Sequence, residues 1–336
     1  KARNKRRGAI IMKRSFCGQD VIDAYARIAD YVEETPLVHS MYLSNAQQNV
    51  YLKMESLQST KSFKIRGCLN KMLSLNDEEK AKGVITVSSG NHGVSVAYGA
   101  KLLGIREAVI IVPKTTPQSK VDKIRYFGGQ VMMMGQNYDE AHVQGMQYVK
   151  SHDYTFIDSY YDDPFIYAGQ GTIALEILKQ NPQIDTILVP VGGGGMLTGI
   201  AVAAHQIDPK VQVIGVQTAA CPALVKSYQE HRFYEECESA PSICDALIGG
   251  IGKLCYEMAK DYIADLLTVE EETIRKAVAH IINYEKFVVE PGGAVGVAAL
   301  FEKREHIKGR NIAIVLSGGN INETLMLEIL NEQAKQ

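Results

Sequence analysis

Residues 185–205 read DTILVPVGGGGMLTGIAVAAH, and this stretch decides the fold. Asp185 to Val191 is a short, almost continuously apolar run of the kind found in strands buried on both faces of a parallel sheet. Gly192, Gly193, Gly194 and Gly195 follow, and Gly195 to His205 then carries a helical pattern. Four glycines let the backbone approach a ligand closely, and the N–H groups at a helix start favour an anion. In isolation a tetraglycine serves equally as a hinge; its place between an apolar strand and a helix favours a phosphate. No Gly-Lys-Ser/Thr follows, so this is not a nucleoside-triphosphate loop, and the G-x-G-x-x-G spacing of a dinucleotide site is absent.

The same strand–turn–helix unit recurs on either side. Strands are expected at Gly83–Val87, Ala108–Val112, Gln130–Met134, Val211–Val216 and Asn311–Leu316. Helices are expected over Asn91–Leu103, Tyr138–Lys150 and Phe165–Lys179, and another opens with Thr116 as N-cap and Pro117 at its first position, ending at Gly128-Gly129. Alternating apolar strands and helices specify an α/β fold with doubly wound parallel sheets. With no repeat and no Pro/Ser-rich linker, a second domain is expected as an insertion within the first.

Two further turns stand where ligands gather in doubly wound folds. Ser88-Ser89-Gly90-Asn91-His92-Gly93 collects hydroxyls, an amide and an imidazole at a helix start, which suits a carboxylate, although a plain N-cap needs only one of them. Ser62-Phe63-Lys64-Ile65-Arg66-Gly67 sets Lys64 between two apolar residues. A lysine is by default a solvated surface charge, but a desolvated one becomes an amine nucleophile and base.

The chain has 336 residues, 46% of them hydrophobic and 22% charged, with a formal net charge of −2, which gives no reason to expect a nucleic-acid partner. No apolar run reaches the roughly 18 to 20 residues of a membrane span. The basic start Lys1 to Arg7 precedes only Ala9-Ile10-Ile11-Met12, too short for a secretory segment, and residues 1–11 read as an added or disordered tail. With no segment after Gln336, no appended regulatory domain is expected. The six cysteines have neither C-x-x-C nor zinc spacing, so free thiols in a reducing cytoplasm are expected, and no iron–sulfur cluster.

Ser62 to Gly67, Ser89-Gly90-Asn91-His92, the glycines 192–195 and Ser317-Gly318-Gly319-Asn320, in that order, resemble the fold-type-II pyridoxal-phosphate enzymes, in the branch of threonine/serine dehydratases and serine racemase. Ala168-Gly169-Gln170-Gly171-Thr172 and Val289-Glu290-Pro291-Gly292-Gly293-Ala294 extend the likeness, which spans residues 20 to 330. Ile65 and His92 set the chain apart from threonine synthases, and His92 from cysteine synthases.

The resemblance implies a tryptophan-synthase-β-like arrangement. Residues 1–75 and 160–336 would form the large cofactor-binding domain, and 76–159 a smaller inserted domain closing over the substrate. It implies that Lys64 holds pyridoxal 5'-phosphate as a Schiff base and removes the substrate α-proton. Phe63 would pack on the cofactor ring, Asn91 would bond its hydroxyl, and Ser317 would face its nitrogen. Gly192, Gly193, Gly194, Gly195 and Met196 would hold the phosphate, while Ser88, Ser89, Asn91 and His92 receive the substrate carboxylate. The implied reaction is α,β-elimination from a hydroxy amino acid, giving a 2-oxo acid and ammonium, in a cytoplasmic homodimer with no nucleic-acid or membrane partner.

Ser89 stands where serine racemase has its second proton donor, so racemisation is the alternative. Gln217 and Ala223 replace the two carboxylates of the racemase's divalent-metal site, so no metal is expected. Lys61 replaces a glycine usual before the S-F-K turn, and Ile243 to Gly252 and Asp158 to Tyr161 also depart from the common pattern. These departures resemble dehydratases acting on less usual substrates, such as phenylserine or an amino acid from hydroxyectoine breakdown.

Overall fold

Among residues 16–333, which a computed structural model describes, ten strands gather into two sheets. They are β1 (Leu37–Ser40), β2 (Asn49–Lys53), β3 (Val84–Val87), β4 (Ala108–Val112), β5 (Gln130–Met133), β6 (Thr155–Phe156), β7 (Thr186–Pro190), β8 (Gln212–Thr218), β9 (Asp265–Val269) and β10 (Asn311–Val315). The larger sheet has the order β1-β2-β10-β7-β8-β9 and is parallel except for β1; the smaller, β5-β4-β3-β6, is wholly parallel. The basic start and the tail expected at residues 1–11 lie outside the described residues.

Every residue of β7 is buried, as its unbroken apolar run requires. Successive side chains point to opposite faces of a sheet. Ile187 and Val189 accordingly enter one core with Ile173, Ile177 and Ile200, from the helices Pro164–Gln180 and Gly195–Ile207. Leu188 enters another with Ile274, Val295 and Ala298, from Glu271–His280 and Pro291–Lys303. The smaller sheet is covered likewise: Ile110 packs with Val96 and Ala97 of the helix Asn91–Leu102, while Val109 and Ile111 face Tyr148 and Val149 of the helix Tyr138–Ser151. No helix among the described residues is long and apolar enough to cross a membrane.

The expected strands and helices form within a residue or two of their expected bounds, with one shift of role. Pro117, not Thr116, is the N-cap of the helix Gln118–Tyr126: its ψ of 139° is extended, and its carbonyl accepts from Lys120 and Val121 at 3.0 and 3.2 Å. Thr116 Oγ1 is buried without a partner. The periodic reading leaves out β1, β2, β6 and β9. β2 mixes the polar Asn49 and Lys53 with apolar residues, yet Lys53 is fully buried.

Beneath the helix Lys64–Leu73 lies a buried ionic cluster. Arg66 donates to Glu55 at 2.7 and 2.8 Å and to Glu176 at 2.6 and 2.8 Å, while Lys53 donates to Glu176 at 2.6 Å. Thr35 adds a hydroxyl to Glu55 at 2.6 Å. Two cations and two carboxylates balance, and all four side chains are buried. Burial alone would raise the Glu55 carboxyl, but the Arg66 charge and its hydrogen bonds win and hold it low.

Candidate active site

Each sheet has one point where strand order reverses, and ligands bind outside the carboxyl ends of strands at such points. In the larger sheet the reversal lies between β7 and β10, because the chain runs outward through β8 and β9 and returns on the other side of β7. The segments leaving these two strands are Gly192–Gly195 and Ser317–Asn320. In the smaller sheet the reversal lies between β3 and β6, and the segments leaving them are Ser88–Asn91 and Asp158–Tyr160. All four turns carry residues singled out in the sequence.

Lys64 joins them. It opens the helix Lys64–Leu73, and Ser62 and Phe63 before it are stitched to the turn after β10: Ser62 bridges Gly318, and Phe63 N–H donates to Ser317 O at 3.0 Å. Lys64 Nζ lies 5.3 Å from the Phe63 ring centre and 5.9 Å from that of Tyr160, and donates to Ser159 O at 3.3 Å. Removal from water pushes the ammonium below the usual lysine range, against the opposing pull of Cys68, Asp158 and Glu290. No carboxylate pairs with Lys64 within ion-pair distance among the described residues.

The glycine loop is packed so tightly that no side chain fits in its middle. A Cβ on Gly193 would lie 2.1 Å from a Tyr160 ring carbon, and one on Gly194 2.1 Å from Cys255 Sγ. Gly194, with φ of +89°, caps the helix Gly195–Ile207 in the left-handed region. Among the described residues, Val191 N–H pairs with Val216 O and Thr198 N–H with Gly194 O, while the N–H groups between them have no backbone acceptor. A row of unpaired N–H groups at a helix start is a phosphate cradle. The Tyr160 ring links this loop to the desolvated Lys64 amine, packing on Gly193 and lying 5.9 Å from Nζ, and this donor set fits pyridoxal phosphate. Met196 is in the first turn of that helix, with its side chain buried.

The turn after β3 is equally close-fitting. A Cβ on Gly93 would come 2.2 Å from Ser88 O, so glycine permits the bend that brings Ser88, Ser89 and Asn91 to the helix start. Ser88 Oγ accepts from Gly90 N–H at 3.3 Å, and Ser88, Ser89 and Asn91 are all half-buried. The His92 side chain turns away from this position. Its Nε2 donates to Ile157 O at 3.0 Å, its Nδ1 contacts Cys68 Sγ at 3.3 Å, and the ring is buried. Burial first, and then the Lys64 charge, push its pKa down to about 4, so the ring is neutral at pH 7. The His92 imidazole therefore belongs to the core and not to the polar turn.

Asn91 has partners that the sequence reading did not assign. Its Nδ2 donates to Glu290 Oε1 at 2.8 Å, and its Oδ1 accepts from Asn320 Nδ2 at 2.6 Å. Asn320 Nδ2 also donates to Thr60 O at 3.0 Å, and its Oδ1 accepts from Lys123 Nζ. Burial raises the Glu290 carboxyl to about 7, helped by the Asp245 charge and opposed by the Asn91 hydrogen bond. Glu290 and Asn320 stood inside quoted motifs and could have been noticed there. Lys123 carried no signal.

The departures from the common pattern cluster here. Tyr160 packs on Gly193, Leu247 and Ala246 O lie against Gly192, and Tyr160 O would meet a Cβ on Gly252 at 2.2 Å. Gln217 Oε1 accepts from Leu224 and Val225 N–H at 3.0 and 3.1 Å, so this carboxamide caps the helix Ala223–Gln229. Lys61 explains the glycine usual at its position, because its φ is +61° while its carbonyl accepts from Gly319 N–H at 2.9 Å. Left-handed backbone costs a side-chain residue about 1–2 kcal/mol, against about 0.5–1 kcal/mol for glycine's extra unfolded freedom. Lys61→Gly is thus expected to stabilise the fold by about 0.5–1 kcal/mol, read as a higher urea midpoint.

Comparison with known proteins adds four findings. The family model described as pyridoxal-phosphate dependent enzyme matches residues 28–318. An L-threonine ammonia-lyase of Thermotoga maritima is 39% identical over 316 residues, which cover 94% of this chain and 78% of the relative. Among solved structures, maize serine racemase superposes with a TM-score of 0.86 at 30% identity, covering 96% of this chain and 99% of that one. The processed form of threonine deaminase isoform 2 from Solanum lycopersicum gives 0.87 at 32% identity, covering 93% and 92%.

Proposed function

Because the chain belongs to the pyridoxal-phosphate dependent enzyme family, we propose that it acts as a threonine/serine ammonia-lyase through the residues gathered at the two switch points. It is a pyridoxal-phosphate enzyme, and its relatives include threonine ammonia-lyases. The observation that carries the residue assignment is Lys64, a desolvated amine near the Phe63 and Tyr160 rings, the second of which packs on the glycine loop.

When bound, the cofactor supplies an electron sink for negative charge developing at the substrate α-carbon. Everything else falls to the protein. Gly192, Gly193, Gly194, Gly195 and Met196 would hold the phosphate with backbone N–H groups and the positive end of the helix dipole. Phe63 would pack on the ring, Asn91 would bond its hydroxyl, and Ser317 would serve its nitrogen. The N-terminus of the helix Asn91–Leu102 receives the substrate carboxylate, with Ser88, Ser89 and Asn91 contributing side chains and His92 its N–H. Burial favours the unprotonated Lys64 amine, so Nζ takes the α-proton as general base. The β-hydroxyl would then leave as water with the proton that Lys64 Nζ has taken up, and the enamine so formed would hydrolyse to a 2-oxo acid and ammonium.

Residues 76–159 are assigned to a closing domain. This rests on the smaller sheet, which supplies the carboxylate turn while Lys64 and the phosphate loop lie outside it. A cytoplasmic homodimer belongs to the same reading; six unpaired cysteines support a reducing compartment.

Racemisation is the second reading, favoured by the half-buried Ser89 hydroxyl in the carboxylate turn and by the likeness to maize serine racemase. The assay incubates the holoenzyme with L-serine, L-threonine and phenylserine, following oxo acid and chirality together. Oxo acid from at least one substrate is expected; D-amino acid without oxo acid would overturn the lyase reading. Ser89→Ala should leave elimination in place and remove any racemisation, and a variant that still racemises at the original rate excludes Ser89 as the second proton donor.

A further inference from the structure

Four side chains from four separate segments form a single head-to-tail chain of hydrogen bonds. Lys123 Nζ donates to Asn320 Oδ1, Asn320 Nδ2 donates to Asn91 Oδ1 at 2.6 Å, and Asn91 Nδ2 donates to Glu290 Oε1 at 2.8 Å. Every link runs in the same sense. We propose that Lys123 is a positioning residue which sets this sense, and so fixes which end of the Asn91 amide is presented to the cofactor. The proposal rests on the reading that Asn91 contacts the cofactor's ring hydroxyl.

The argument is one of donors and acceptors. A carboxamide can turn over, exchanging its oxygen for its nitrogen at little steric cost, so Asn91 and Asn320 do not orient themselves. A lysine ammonium has only hydrogens to give. It therefore takes the oxygen of Asn320 and turns that residue's NH2 group toward Asn91 Oδ1 and Thr60 O, both of which only accept. Asn91 Oδ1 is then occupied, and its NH2 group faces Glu290 with a second hydrogen to spare. Glu290, when charged, is an acceptor at the far end and agrees with the same sense. When Glu290 is protonated it can also donate, and Lys123 is then the one end that still dictates direction.

Place in the fold strengthens the case. Lys123 is on the helix Gln118–Tyr126, between β4 and β5 of the smaller sheet, whereas Asn320 and Glu290 lie outside that sheet's span, beside β10. Lys123 is half-buried, and burial pushes its ammonium below the usual lysine range, with Glu290 opposing the shift and Lys61 adding to it. Lys120, one helical turn earlier, pairs with Asp245 at 2.8 Å. The helix is thus seated over the far half of the site by two lysines. Lys120 ends on an exposed carboxylate, and Lys123 ends on the amide chain that reaches Asn91.

The test compares Lys123→Met and Lys123→Arg with the wild-type holoenzyme. Methionine keeps the length and removes the donor; arginine restores donors. Lys123→Met is expected to bind pyridoxal phosphate about tenfold more weakly, the scale of losing one charge-assisted hydrogen bond. It should also shift the visible band of the bound cofactor and lower kcat with little change in KM, and Lys123→Arg should recover most of each. A Lys123→Met enzyme with wild-type band, affinity and kcat would overturn the proposal. So would an arginine variant as impaired as methionine, because packing and not donation would then be the cause. Borohydride reduction separates the two levels. An adduct on Lys64 with an unchanged band defeats only the positioning role, whereas no adduct on Lys64 in wild type defeats the cofactor reading. In that case the side-chain amide protons of Asn91 and Asn320 decide: Lys123→Met is expected to exchange them about tenfold faster, and unchanged exchange would sink the role of Lys123.

Discussion

Lys64→Ala is expected to lose at least about 10⁴-fold in kcat, because one side chain supplies both the cofactor linkage and the general base. The glycine loop remains intact in this variant, so pyridoxal phosphate should still bind, but without a reducible bond to the chain. Two measurements check this. Single-turnover kinetics should show the chemical step, not product release, to be slow. Mass spectrometry after borohydride treatment should place the wild-type adduct on the peptide containing Lys64 and find none in the variant. An adduct on Lys61 or Lys123 instead would reassign the nucleophile. The expectation follows from the setting of Lys64: a Nζ near two rings, with Ser159 O as its hydrogen-bond acceptor, is depressed by burial, which outweighs the pull of Cys68, Asp158 and Glu290.

Arg66→Met should be the most destabilising single change, at about 3–5 kcal/mol, enough to unfold many domains of ordinary stability. Arg66 is two residues from Lys64 on the same helix and holds that helix to Glu55 and to Glu176 through four short hydrogen bonds. Removing it leaves two buried carboxylates with Lys53 as the one cation of the cluster. Arg66→Lys recovers the charge but not the fork that serves two carboxylates at once, so it should recover stability only in part. Urea unfolding followed by circular dichroism reads the effect. A midpoint for Arg66→Met within about 0.5 kcal/mol of wild type would mean that the cluster does not anchor the helix. Activity alone does not separate this role from catalysis. Stability does, since Lys64→Ala should keep a near-native midpoint.

Much of the site was legible because its parts are local. A strand buried on both faces leaves a continuous apolar run, a phosphate turn leaves its glycines, and a helix start leaves its polar residues. The motif at Lys64, the glycines at 192–195 and the turns at Ser88 and Ser317 all lie where the sequence places them, at the carboxyl ends of strands or the start of a helix. His92 marks the limit of that reading. The sequence puts an imidazole in a polar turn, yet side chains at successive helix positions point in different directions, and this one enters the core against Cys68 and Ile157.

The sequence by itself determined the α/β class, the strands of both sheets' centres, and Lys64 with its glycine loop, because each depends on residues within one short window. Only the tertiary structure decided that the reversal points of two separate sheets meet, that Arg66 joins β2 to two helices through buried charge, and that Lys123 reaches Asn91 by way of Asn320. Asn91 and Asn320 are 229 positions apart, and Asn91 and Glu290 199. Such partners leave no periodic trace. A hydrogen bond is fixed by the direction of two groups in space, and hydrophobic patterning encodes which face a residue takes but not which distant residue it finds there.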